Sequence, residues 1–178
     1  MKDMAYMRVF RANHQSIDDM KLMIDSIWNG IDNVVDKWTR GVADNNVIDI
    51  FNSYQLVQKA AGKQLFTKVH CFSIDFEEIQ DELIVRQVIS ELLDTISCTF
   101  QVIAVLYINC YGNYECVFLI NAVSYTTYRN FHDNNSTYLD LQRYLNKFTG
   151  VDWFVEVSEN VLFKNDGNDA DRYQEFEQ

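Results

Sequence analysis

Two rhythms of hydrophobic positions run along this chain, one with a period near 3.6 residues and one with a period of two. Ala5-Tyr-Met-Arg-Val-Phe-Arg11 has the aromatic and aliphatic make-up of a strand. Ser16 opens a helix with Asp19 three residues on, a short version of the capping box. Ile17, Met20, Ile24, Ile27 and Trp28 fall on one helical face, and Asn29-Gly30 ends it. Residues 31–41 read as a loop with a short turn. Asp44 or Asn45 opens a second helix with the stripe Val47, Ile50, Phe51, Tyr54 and Val57, stopped by Gly62. Leu65 to Ser73 reads as a strand with Thr67, Val69 and Cys71 on one side and Lys68, His70 and Phe72 on the other. Asp75 to Ile79 is a turn. Gln80 to Ser97 is the longest helix, with Val85, Val88, Ile89, Leu92 and Ile96 inward. Phe100 to Asn109 is so continuously apolar that it belongs inside a sheet. Cys110-Tyr-Gly-Asn113 turns the chain back into Tyr114–Val123, an antiparallel hairpin. Ser136 or Thr137 starts a last helix, with Leu139, Leu141, Tyr144 and Leu145 as its apolar side and Gly150 as its stop. Val151 to Val157 is the last strand.

This order predicts an α/β fold: a two-layer sandwich with a mixed, largely antiparallel sheet of about five strands. No glycine-rich phosphate loop is present, so a doubly wound nucleotide fold is not expected. Residues 1–163 form one expected domain, and residues 164–178 an acidic, mobile tail. An apolar content of 48% supplies a core, but no run approaches the roughly 20 residues needed to cross a membrane. The start, Met1-Lys-Asp-Met-Ala-Tyr6, lacks a signal-type apolar stretch. Cys71, Cys98, Cys110 and Cys116 lack paired metal spacing and read as reduced thiols of a cytoplasmic protein. The net charge of −11 weighs against nucleic acid, whose binders neutralise phosphates with a basic footprint, although an acidic whole can carry a local basic patch.

The stretch from Asn113 to Lys147 carries the most specific pattern. It holds Ile120-Asn-Ala-Val-Ser-Tyr125, then Arg129-Asn-Phe-His132, then Tyr138-Leu-Asp-Leu-Gln-Arg143. Upstream stand Met23-Ile-Asp-Ser-Ile-Trp-Asn29, Lys59 to Lys63 around Gly62, and Val69-His-Cys-Phe-Ser73. In this order and at nearly these spacings the segments resemble MobA/MobL-type plasmid relaxases, the HUH-fold nickases that mobilise plasmid DNA. The resemblance spans roughly residues 20–157. It implies a mechanism in which a tyrosine attacks a DNA phosphodiester while three histidines hold a divalent metal, which stabilises charge on the phosphoryl oxygens.

Carried over residue by residue, the nucleophile falls on Ser26. The first metal ligand falls on Thr67 and the paired histidines on Glu115 and Val117, which share one side of their strand. Asn121, Tyr125, Phe131, His132, Tyr138 and Arg143 keep the family's residue types. With histidines only at 14, 70 and 132, no shift of alignment restores a His-x-His pair. The resemblance therefore implies a degenerate relaxase without catalytic residues, metal or other cofactor. Mg²⁺ or Mn²⁺ would matter only if nicking through Ser26 and Glu115 survived. Asn121, Tyr125, Arg129, His132, Tyr138 and Arg143 are the candidate cleft, with single-stranded or hairpin DNA, or a relaxosome protein, as partner. The alternative is an acidic protein-interaction module that does not bind DNA. Each residue also has a plainer reading: Glu115 as a salt-bridged strand residue, His132 as a turn tether, Tyr125 and Tyr138 as core, Arg129 and Arg143 as surface ion-pair partners.

Overall fold

The computed structural model describes residues 4–10, 16–43, 46–62, 67–77, 79–132, 134–150 and 152–158. In chain order the elements are β1 (Met4–Phe10), α1 (Ile17–Trp28), β2 (Val34–Arg40), α2 (Val47–Ala61), β3 (Val69–Asp75), α3 (Glu82–Ser97), β4 (Phe100–Ile108), β5 (Tyr114–Ser124), α4 (Asn135–Thr149) and β6 (Asp152–Ser158). They form one sheet of order β2-β4-β5-β3-β1-β6. Five of its strands pair antiparallel, and β6 joins parallel to β1, so the sheet is mixed and largely antiparallel as expected.

The helices begin where side chains satisfy their first backbone N–H groups. Ser16 Oγ accepts from the Asp19 N–H at 2.9 Å while the Asp19 carboxylate accepts from the Ser16 N–H at 3.1 Å, a full capping box. Asn46, not Asp44 or Asn45, caps α2, accepting from the Asp49 N–H at 3.0 Å. Asp81 caps α3, and Asn134, rather than Ser136 or Thr137, caps α4. Gly62 and Gly150 end α2 and α4 with φ of +64° and +70°, a left-handed turn that glycine takes without steric cost.

Period-two alternation divides the sheet between two cores. Phe72, Ile74, Val102, Ala104, Leu106, Phe118 and Ile120 pack with α3 and α4. Val69, Cys71, Ile103, Val105, Val117 and Leu119 face the other way, under α1 and α2. The sheet is thus shared by two helical layers, one on each face. β4 and β5 are interior strands buried on both sides, which is why they read as continuous apolar runs. Phe72 and Phe118 stack across neighbouring strands at 4.7 Å and 7°.

Three expectations are corrected. Residues 31–41 are not a loop: Val34–Arg40 forms β2, an edge strand paired to β4. Its charged residues are held from a distance, Asp36 by Arg86 of α3, while Lys37 donates to the Trp28 carbonyl and lies 5.1 Å from the Trp28 ring. The third core-bound strand runs two residues further than Ser73, to Asp75, and begins at Val69 rather than Leu65; residues 65 and 66 lie outside the described residues. On α4 the inward stripe is Tyr138, Leu141 and Leu145. Leu139 is 42% exposed, and Tyr144 turns its hydroxyl to Glu91 of α3 at 3.2 Å. The expected tail, 164–178, lies outside the described residues.

Phe118 touches the centre of the larger core and has no exposed surface. Phe118→Ala is expected to lower unfolding free energy by about 3–5 kcal/mol in urea titration, through lost burial and the cavity left behind.

Candidate functional site

β3 and β5 place the most unusual side chains of the protein together. Their register sets Val69 opposite Asn121, Cys71 opposite Leu119, Ser73 opposite Val117 and Asp75 opposite Glu115. All of these face α1 and α2. The row is apolar in its middle and polar at both ends.

At one end Asp75 and Glu115 are both buried. Asn109, at the tip of the β4–β5 hairpin, bridges them. Its Oδ1 accepts from the N–H groups of Tyr111 and Asn113, each at 3.0 Å, which turns its Nδ2 toward the carboxylates. That nitrogen lies 3.4 Å from Asp75 Oδ2 and 3.3 Å from Glu115 Oε2. Arg8 of β1 approaches Asp75 Oδ2 to 3.8 Å. Ser73 Oγ and Asp75 Oδ1 are buried with no hydrogen-bond partner among the described residues. Burial, and next the neighbouring Glu115 charge, push the Asp75 carboxyl up to about 6, with Arg8 opposing. The pair can hold a proton. Asn109 presents N–H rather than oxygen to the pair, and the described residues contain no group of three or more His, Cys, Asp or Glu placed to hold a metal ion.

At the other end of the row, Asn121 is fully buried. Its Nδ2 donates to Gln101 Oε1 at 2.8 Å and to the Tyr54 carbonyl at 3.1 Å, and its Oδ1 accepts from Gln58 Nε2 at 2.8 Å. Gln58 also reaches the Lys68 carbonyl at 2.7 Å, Tyr54 donates to the Leu119 carbonyl at 2.6 Å, and Gln101 donates to the Gly41 carbonyl at 2.8 Å. Every polar atom of the Asn121 side chain is thereby engaged in fastening α2 and the end of β2 to the sheet, with none left for a ligand.

The positions implied by the relaxase resemblance do not converge. Glu115 and Val117 do face the same side, but Val117 is core. Thr67 precedes Val69, whose partner is Asn121, and Glu115 lies six residues back along β5, roughly 20 Å away. Ser26 is half-buried on α1, and no hydrogen bond joins its hydroxyl to a base among the described residues. The residues present therefore do not fit the divalent metal of the resembled family.

The candidate cleft also divides. Asn121 faces α1 and α2, whereas Tyr138 lies in the opposite core, 6.2 Å from the Phe72 ring and 6.4 Å from that of Phe131. His70 packs 5.0 Å from Phe131 in the same aromatic group. Tyr125 donates its hydroxyl to the Ser97 carbonyl, tying the exit of β5 to the end of α3. Arg143 is exposed and paired with Asp140 at 3.1 Å. Arg129 and His132 are exposed on the β5–α4 connection. Four residues at the two ends of the row escaped sequence reasoning: Asp75, Asn109, Gln58 and Gln101. Gln58 left a signal, as the one polar member of the buried stripe Ile50, Tyr54, Gln58.

No protein-family model, curated protein or solved structure matches the chain.

Asp75 sets a pH dependence. Its folded value, about 6, lies above its ordinary 3.8, so the folded state holds the proton more tightly. The resulting stabilisation is full below pH 3.8 and is lost as pH rises through 6. Thermal melts from pH 4 to 8 are expected to show this loss. Asp75→Asn should remove that slope and raise stability at pH 8 by roughly 2 kcal/mol.

Proposed function

We propose that the chain is a catalytically inactive, relaxase-like domain that acts by binding, and that its partner is a basic protein rather than DNA. The relaxase part rests on the ordered segments from Met23 to Arg143. The loss of catalysis rests on Ser26, Thr67, Glu115 and Val117 standing where a nucleophile and three ligands would be needed. The choice of partner rests on one observation, the state of the arginines. Arg8 pairs with Asp75, Arg40 with Asp94, Arg86 with Asp36 and Glu82, and Arg143 with Asp140. Cations already matched to carboxylates release few counterions from a phosphate backbone, and the whole chain carries −11. A basic protein would meet an acidic surface instead, with association speeded by complementary charge.

A second reading keeps single-stranded or hairpin DNA as ligand. Arg129 favours it, because this exposed arginine stands outside those ion pairs and close in sequence to exposed His132.

Fluorescence anisotropy with labelled single-stranded and hairpin oligonucleotides separates the two. Flat traces from low to physiological salt, with and without Mn²⁺, are expected. Salt-sensitive binding that disappears in Arg129→Glu would replace the protein-partner reading with the DNA reading. Nicking of supercoiled plasmid with Mg²⁺ or Mn²⁺, abolished by Ser26→Ala, would overturn the assignment of inactivity.

A further inference from the structure

Among the described residues, no element packs on the outer face of the α1–α2 layer. The two helices run antiparallel. Gln58, near the end of α2, meets Met20, near the start of α1, at 3.5 Å, while Trp28 at the end of α1 and Val47 at the start of α2 line the same depression. The inward stripe of α2, Ile50, Tyr54 and Gln58, already covers the sheet. Its outward ridge is Ile48, Asn52 and Leu56 at four-residue spacing, with Ile48 66% and Leu56 69% exposed. α1 adds Ile17 and Leu22, 45% and 48% exposed. Near Ile48 the surface dips into a shallow depression of about 620 Å³, lined also by Trp28, Asn29, Asn46 and Asp49. Ile48 and Leu56 stand on one ridge beside this depression, the kind of apolar surface into which an amphipathic helix packs.

Charge selects the occupant. The described residues of α1 and α2 carry Asp18, Asp19, Asp25 and Asp49 against Lys21 and Lys59. A second copy docked here would bring a face of the same net negative sign against it. Residues 164–178 hold five acidic residues against Lys164 and Arg172, so they too carry the wrong sign. We infer that this face docks an amphipathic helix of a protein partner, with aliphatic residues seated along Ile48 and Leu56 and lysines or arginines facing Asp18, Asp25 and Asp49. This deepens, and rests on, the reading of the chain as a binding module for a basic protein.

The test uses the 178-residue chain and a fluorescein-labelled leucine/lysine peptide with leucines at helical i, i+4 spacing. Controls are a peptide of the same composition with its order scrambled and one with glutamate in place of lysine. The amphipathic basic peptide is expected to bind. The double variant Ile48→Ser, Leu56→Ser should bind it at least about tenfold more weakly, with an unchanged melting temperature. Leu83→Ser, which removes an exposed leucine from α3, should bind like the wild type. Equal binding by both variants, or equal binding of the scrambled peptide, would overturn the docking face while leaving a basic partner in place. Absence of binding would overturn the face as well. A dimer that dissociates in the double variant would assign the face to a second copy and overturn the proposed occupant. Salt-sensitive oligonucleotide binding through Arg129 would instead remove the underlying reading.

Discussion

The pairing of β3 with β5 is the constraint on which the rest of the structure depends. Strand registers have a period of two, so a slip of one residue would turn every side chain to the opposite layer. The observed register puts Phe72 against Phe118 in one core and Cys71 against Leu119 in the other. It also fixes the two polar ends of the row beneath α1 and α2, with Asp75 and Glu115 at one and Asn121 at the other. These ends do different things. Around Asn121 every donor and acceptor of the side chain is matched, and the amide network locks helix to sheet. Around Asp75 the matching is incomplete, and two buried carboxyl groups share one amide nitrogen. A fully satisfied network specifies position, whereas an incompletely satisfied pair makes stability depend on protonation.

That register also bears on function. Residues that coincide with the resembled relaxase pattern mostly have structural duties here. Asn121 anchors α2, Tyr125 ties β5 to α3, and Tyr138 fills an aromatic core. Each is held by packing or hydrogen bonds within the fold. Of the positions that the resemblance assigns to chemistry, Val117 is packed in the core under α1 and α2, and Ser26 and Thr67 are half-buried. Arg8, Arg40, Arg86 and Arg143 are paired to carboxylates, Arg129 stands outside those pairs, and Ile48 and Leu56 are exposed on α2.

Local signals made most elements legible. Ser16 with Asp19, Gly62 and Gly150 bracket helices by capping chemistry that reads directly from neighbours in sequence. The β4–β5 hairpin showed itself through its continuous apolar runs. β2 did not, because it is an edge strand whose Asp36 and Lys37 are held by Arg86 and Trp28, partners that no local pattern reveals. The extension of β3 was hidden by polarity: Asp75 looks like a turn residue, yet it continues the alternation of Cys71 and Ser73 into a buried end of the sheet. The candidate cleft divides between the two faces for a related reason. Residues close in sequence, such as Asn121 and Tyr138, were grouped by motif, but alternation and helix geometry send them to opposite faces.

The register itself can be observed directly. In a uniformly labelled sample, cross-strand nuclear Overhauser contacts should pair Asp75 with Glu115, Ser73 with Val117 and Val69 with Asn121. Those contacts would establish the acid pair and the separation of Thr67 from Glu115 on which the functional reading stands. A register displaced by two residues, with Ser73 opposite Glu115, would break the acid pair. Contacts between Thr67 and Glu115 would contradict the account at its base.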